Sequence, residues 1–145
     1  MITIQEATAM QRAEILKIRS DLESGTWDIR PETNCMAVVE DARILGFGFF
    51  DRNVPNCRIF EVFILPEYRR MSFGDGLLRA MMNSQERGGS ETVFVAANEV
   101  LIPFLKREEL IESAEQIEWN STVKNIVWFE ANLKDFFGKP CRGGK

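Results

Sequence analysis

Apolar and polar residues alternate over Met1 to Glu6, with Ile2 and Ile4 on one side, which predicts a short strand. Thr8-Ala9-Met10-Gln11 then has the form of a capping box, and Ile15, Ile18 and Leu22 follow at helical spacing. A helix over about 9–22 is expected, stopped by Ser24-Gly25. Cys35–Glu40 and Ile44–Phe50 read as two strands of a hairpin turned at Asp41-Ala42-Arg43. A second turn with Pro55 leads to Arg58–Leu65, an almost continuously apolar run expected of a strand covered on both faces. Pro66 ends it.

Phe73, Leu77 and Met81, broadened by Leu78 and Met82, predict a helix from about Phe73 to Arg87, closed by Gly88-Gly89. Thr92–Ala97 reads as a strand. Pro103 suits the first turn of a helix over about 101–109. Two further strands are expected near Glu112–Trp119 and Ile126–Leu133. This order implies an α/β (α+β) domain, with a mixed, mostly antiparallel sheet of about six or seven strands flanked by helices. With no repeats or linker-like stretches, residues 1–138 form one domain, followed by a short basic tail over 139–145.

Composition narrows the chemistry. The 145 residues are 45% hydrophobic and 28% charged, with a formal charge of −4, an ordinary globular balance. Histidine is absent, which removes the Ser-His-Asp triad, His-ligated zinc and His-held haem. The three cysteines are scattered and none forms a CxxC, so no metal site is expected and reduced thiols suggest a cytoplasmic setting. An acidic isoelectric point near 5.0 argues against nucleic acid, and no apolar run is long enough to span a bilayer.

The informative segment is Arg58 to Leu78: a buried strand, a loop with Arg69 and Arg70, then Gly74 and a helix. A helix N-terminus presents unpaired N–H groups and a partial positive charge, suited to phosphate. Gly74 admits close approach, and the two arginines add charged contacts. The same segment also reads as an ordinary strand–turn–helix corner with solvated arginines.

The run Arg69-Arg70-Met71-Ser72-Phe73-Gly74 resembles the coenzyme A pyrophosphate loop of the GNAT N-acetyltransferase superfamily, Arg/Gln-x-x-Gly-x-Gly/Ala. Ser72 stands where the loop has its first glycine. A second block resembles Asn-x-x-Ala-x-x-Phe-Tyr-x-Lys-x-Gly-Phe. Asn98 leads it, with Leu101, Phe104, Leu105, Arg107, Glu109 and Leu110 at the alanine, phenylalanine, tyrosine, lysine, glycine and final phenylalanine. The element order agrees over about residues 1–110.

This resemblance implies transfer of an acyl group, most simply acetyl, from acetyl-CoA to an amine. It places Arg69, Arg70, Met71, Ser72, Phe73, Gly74, Asp75 and Gly76 at the pyrophosphate. It also places backbone groups of Ile64 and Leu65 at the acyl carbonyl and pantetheine arm, with Asn98 and Phe104 beside them. Asn98 alternatively caps the next helix.

Glu61 is the only charge between Ile59 and Leu65, at a position often acidic in the family. By strict alternation it shares a face with Ile59, Phe63 and Leu65, and an apolar setting there would raise its pKa into the range of a base. The other reading pairs it with Arg43, Arg58 or another cation. Leu105 at the tyrosine position leaves no general acid there; Tyr68, the only tyrosine, lies in the loop, and Cys57 is the remaining thought.

Asp21, Glu23, Asp28 and Glu32 around Trp27 form either a rim that attracts a cationic amine or protein lysine, or a solvated loop. Trp119, Trp128, Phe129, Phe136 and Phe137 complete the core or a homodimer contact. The degenerate positions also admit a different class: a GNAT-fold binding or structural component of a larger assembly, without catalysis.

Overall fold

The structure is a computed structural model and describes residues 1–21, 29–51, 56–69, 71–97, 101–113 and 127–138. The capping box forms: Gln11 N–H donates to Thr8 Oγ1 at 3.1 Å and Thr8 N–H to Gln11 Oε1 at 2.9 Å. Helix α1 (Ala9–Asp21) starts there, after strand β1 (Ile2–Glu6); its expected stop at Ser24-Gly25 lies outside the described residues. The hairpin is β2 (Asn34–Glu40) and β3 (Arg43–Asp51). Its turn is tighter than the expected three residues. Glu40 pairs with Arg43, and Asp41 and Ala42 both take positive φ (47° and 69°), the two-residue turn that matches strand twist.

β4 (Asn56–Ile64) is the long apolar strand, and a single 3-10 turn over Pro66–Tyr68 follows it. Then come α2 (Phe73–Arg87), β5 (Thr92–Ala97), α3 (Ile102–Arg107), β6 (Ile111–Glu112) and β7 (Val127–Asn132). The expected strand over Glu112–Trp119 shows only its start, since 114–126 lie outside the described residues. A last short helix, α4 (Leu133–Gly138), was not anticipated. Asn132 Oδ1 accepts the Asp135 N–H at 3.0 Å and turns the chain out of β7, so that buried Phe136 reaches the core.

The strands form one sheet in the order β1-β2-β3-β4-β5-β7-β6. Among the described strands only β4 and β5 run parallel, with α2 as their crossover. One face carries the larger core, where Leu77, Leu78, Met81 and Met82 of α2, Leu105 of α3 and Phe136 of α4 meet Val38, Ile59 and Val95. The other face holds Ile15 of α1 against Ala37, Phe47 and Phe49. Farther along that face, Phe60, Phe94, Ala96 and Trp128 cluster with Ile29.

Two glycines set how closely the layers approach. A Cβ on Gly48 would meet the Met81 side chain of α2 at 2.6 Å. One on Gly46 would meet the Phe63 carbonyl oxygen at 2.7 Å. Cys35 and Cys57 are buried free thiols whose pKa burial raises to about 12, so neither is a ready proton donor or nucleophile.

Candidate active site

β4 and β5 pair from Asn56–Thr92 to Ile59–Val95 and then part. β4 continues to Ile64 and β5 to Ala97, so a cleft opens between neighbouring strands of one sheet. Leu65 N–H donates to the Leu45 carbonyl at 2.9 Å, toward β3. By alternation the preceding N–H, that of Ile64, points to the β5 side, into the opening. The Ile64 carbonyl accepts from Arg69 Nε at 2.8 Å. Leu65 is committed at both backbone groups, because its carbonyl accepts the Tyr68 N–H at 2.9 Å.

The start of α2 lies beside this strand end. Ser72 precedes it in the left-handed region (φ 63°, ψ 15°), and its hydroxyl caps nothing. Gly76 N–H reaches the Ser72 carbonyl at 3.1 Å, which leaves the amides of Phe73, Gly74 and Asp75 as the helix's orphan donors. A Cβ at Gly74 would meet Phe104 at 3.7 Å and Ile64 at 4.0 Å, ordinary distances. Packing therefore does not demand glycine there, whereas Gly76 is explained by Ile4, 2.9 Å from its would-be Cβ. Gly74, Ile64 and Phe104 thus bring the ends of three elements together.

The other sequence-predicted loop residues have distinct fates. Arg69 stacks over the Phe63 ring at 5.2 Å while it holds Ile64. Met71 is exposed, and Phe73 packs half-buried on the core. Asp75 accepts from Arg79 Nε at 3.0 Å, and Arg79 also lies 3.8 Å from Glu108 and over the Phe136 ring. Burial would raise the Asp75 pKa, but hydrogen bonding with Glu108 and Arg79 outweighs it and holds the pKa below 3.8. Arg70, Asn98, Trp27 and Trp119 lie outside the described residues.

Glu61 shares a face with Phe63, as alternation gives, but not with Ile59. In the β3–β4 ladder Phe49 opposes Glu61 and Phe50 opposes Ile59, so Phe60 is an extra, bulged residue. Ile59 points to the α2 side and Glu61, one step out of phase, to the α1 side. There Arg19 Nε donates to both carboxylate oxygens, at 3.0 and 2.9 Å. The side chains are 9% and 12% exposed, so the pair is nearly closed to water.

Burial is the largest influence on Glu61 and raises its pKa above 4.5, with Arg19 pulling the other way. The partners named from sequence are engaged elsewhere: Arg43 with Glu40, Arg58 with Asp51. Arg19 was missed, although it stands one helical turn after Ile15 on the buried side of α1. An arginine on an apolar stripe is the signal for a buried partner.

Leu105, at the tyrosine position of the second block, is fully buried in the main core, so no ionisable group occupies it. Glu109, at that block's glycine, takes φ 69°. Ser72 and Glu109, which stand where the resemblance puts glycine, both take the left-handed backbone that glycine suits. Among the described residues no group of acidic, cysteine or histidine side chains could hold a metal ion, and no helix is long and apolar enough to cross a membrane.

Residues 4–108 match the model of the acetyltransferase (GNAT) family. The chain belongs to the GNAT family. No curated protein matches it. Its fold is shared with the ribosomal-protein-S18-alanine N-acetyltransferase of Escherichia coli, with a TM-score of 0.69 at 13% identity over 92% of this chain and 94% of that one. N-acetylglutamate synthase from Neisseria gonorrhoeae, solved with coenzyme A and N-acetyl-glutamate, matches with a TM-score of 0.71 at 15% identity. That match covers 92% of this chain and 35% of the other. The PaiA N-acetyltransferase of Thermoplasma acidophilum, solved with coenzyme A, gives 0.60 at 13% identity over 83% and 70% of the two chains. The expected single sheet flanked by helices is the GNAT fold seen here, with seven strands.

Proposed function

We propose that this GNAT protein is an acyl-CoA-dependent N-acyltransferase, with acetyl-CoA as the donor and a small-molecule amine or a protein lysine as the acceptor. The observation that carries this reading is the opening between β4 and β5 beside the start of α2. It brings an inward-facing Ile64 amide next to the orphan amides that follow a left-handed Ser72.

The residues present suit coenzyme A. The amides of Phe73, Gly74 and Asp75, with the helix dipole, would hold the pyrophosphate, and Gly74 leaves room for it. Acetyl-CoA supplies an activated thioester carbonyl. Ile64 N–H would stabilise negative charge developing on the acyl oxygen. Glu61 would take the proton of the attacking amine, directly or through water, as the new C–N bond forms and the C–S bond breaks. The departing thiolate would take its proton from solvent, since Leu105 offers none. Thiolate is a fair leaving group, so turnover is expected without an acid at that position, though slower.

The test is acetyl transfer from acetyl-CoA to a panel of alkylamines, amino acids and a lysine-bearing peptide. Wild type is expected to turn over, and Glu61→Gln to lose about a hundredfold or more in rate while still binding acetyl-CoA. Equal rates for the two proteins would remove Glu61 as base. A second reading, a GNAT-fold binding component without catalysis, is favoured by the sealed Leu105. Acetyl-CoA binding with no turnover on any amine would select it.

A further inference from the structure

We propose that Arg19 is the positioning residue of the acceptor side: it aims the Glu61 carboxylate and keeps it available as a proton acceptor. The inference rests on the proposed role of Glu61 and extends it to α1, a helix outside both motif blocks. Three independent features converge on this pair. The bulge at Phe60 rotates Glu61 onto the α1 face. The Phe49 ring, paired across the sheet with both Cys35 and Glu61, forms a platform under the Arg19 guanidinium, 5.5 Å away. α1 itself is anchored by its capping box and by Arg12, which donates to the backbone carbonyls of Thr33 and Arg30.

The geometry suits a base held in place rather than one quenched. A single N–H, Arg19 Nε, bridges the two carboxylate oxygens. A carboxylate has about four acceptor sites, so oxygen lone pairs remain for a proton. A buried ion pair is weak evidence for stability, because desolvation offsets most of its attraction. Its expected effect is on protonation instead. Burial alone would drive Glu61 to the neutral form, which cannot accept a proton.

Among the described residues, these groups face Glu61. Arg19 comes from α1, and Arg12 of the same helix lies over the Phe49 ring at 5.9 Å. From β2, Cys35 stays neutral, with its pKa near 12. Phe49 and Phe63 on the same face carry no charge, and Arg69 lies beyond them over the Phe63 ring.

The experiment is a carbon-13 NMR titration of the glutamate carboxyls, with Glu61 assigned through Glu61→Gln, in wild type, Arg19→Lys and Arg19→Met. It is paired with kcat/KM against pH, using acetyl-CoA and n-butylamine as a minimal lysine-like acceptor. Arg19→Met is expected to raise the Glu61 midpoint by about one pH unit or more, and to move the acid limb of the rate profile with it. Arg19→Lys is expected to raise both by less, because the charge is kept and the two-oxygen contact is lost. It also serves as the reporter if Arg19→Met does not fold. An unmoved Glu61 midpoint in both variants overturns the proposal. A midpoint that moves while the acid limb stays fixed overturns Glu61 as the base, and leaves acetyl-CoA binding to be judged separately.

Discussion

At the residue scale, three side chains sit on backbone that disfavours them. Ala42, Ser72 and Glu109 all sit at positive φ, where a Cβ is disfavoured. Ser72 makes no cap that would compensate. Ser72→Gly and Ala42→Gly are each expected to stabilise the protein by about 1 kcal/mol, read as a higher denaturant midpoint at unchanged slope. A loss of stability in Ser72→Gly would show that the left-handed turn is not held in solution. Glu61 supplies a pH prediction. Its folded pKa is raised, so the native state binds the extra proton and stability falls as pH climbs from the ordinary value of 4.5 through the raised one. As a base it must be ionised, so activity is expected to fall as pH drops through that same raised value, above 4.5. An acid limb at or below 4.5 would contradict this. The sequence showed which acid to watch, because Glu61 stands alone in an apolar strand. It could not show that Ile59 lies on the opposite face, because one extra residue in a ladder leaves no compositional trace.

At the element scale, the ends of β4, α2 and α3 are fitted by small residues and one arginine. Gly46→Ala would press its Cβ into the Phe63 carbonyl oxygen, which belongs to the backbone of β4. It is expected to cost about 1–3 kcal/mol and to weaken acetyl-CoA binding by shifting the strand end. Gly48→Ala has as its nearest neighbours the side-chain end of Met81 at 2.6 Å and the Glu61 carbonyl oxygen at 3.0 Å, so its cost is expected to be smaller. Equal midpoints for the two variants would contradict that ordering. Arg79 joins Asp75, Glu108 and the Phe136 ring, and so ties α2 to the end of α3 and to α4. Its replacement by Met should raise the Asp75 pKa and loosen the start of α2. The start of α1 was legible from its capping box and helical spacing, and α2 from its apolar stripe and the closing Gly88-Gly89. α4 was not legible, because six residues carry too little periodicity, and Asn132 alone marks its start. β6 was only partly legible, since its described part is two exposed residues paired to β7.

At the scale of the whole molecule, one sheet carries both cores, so the domain is expected to unfold in a single transition seen alike by tryptophan fluorescence and circular dichroism. Separate transitions would mean that the α1 face and the α2 face fold independently. A mixed, mostly antiparallel sheet flanked by helices followed from the order of elements in the sequence. The parting of β4 from β5 did not, because it depends on where a ladder stops rather than on which residues compose it. That opening, beside the start of α2, is the centre of the functional account. The protein bears a net charge of −4, so an anionic ligand must be drawn by the local field of the helix start and its arginines. Calorimetric titration with acetyl-CoA, on wild type and on Gly74→Glu, tests this most directly. Micromolar binding is expected, weakening as salt rises and lost in Gly74→Glu without loss of fold. No heat of binding to wild type up to millimolar acetyl-CoA, or equal binding by both proteins, would contradict it.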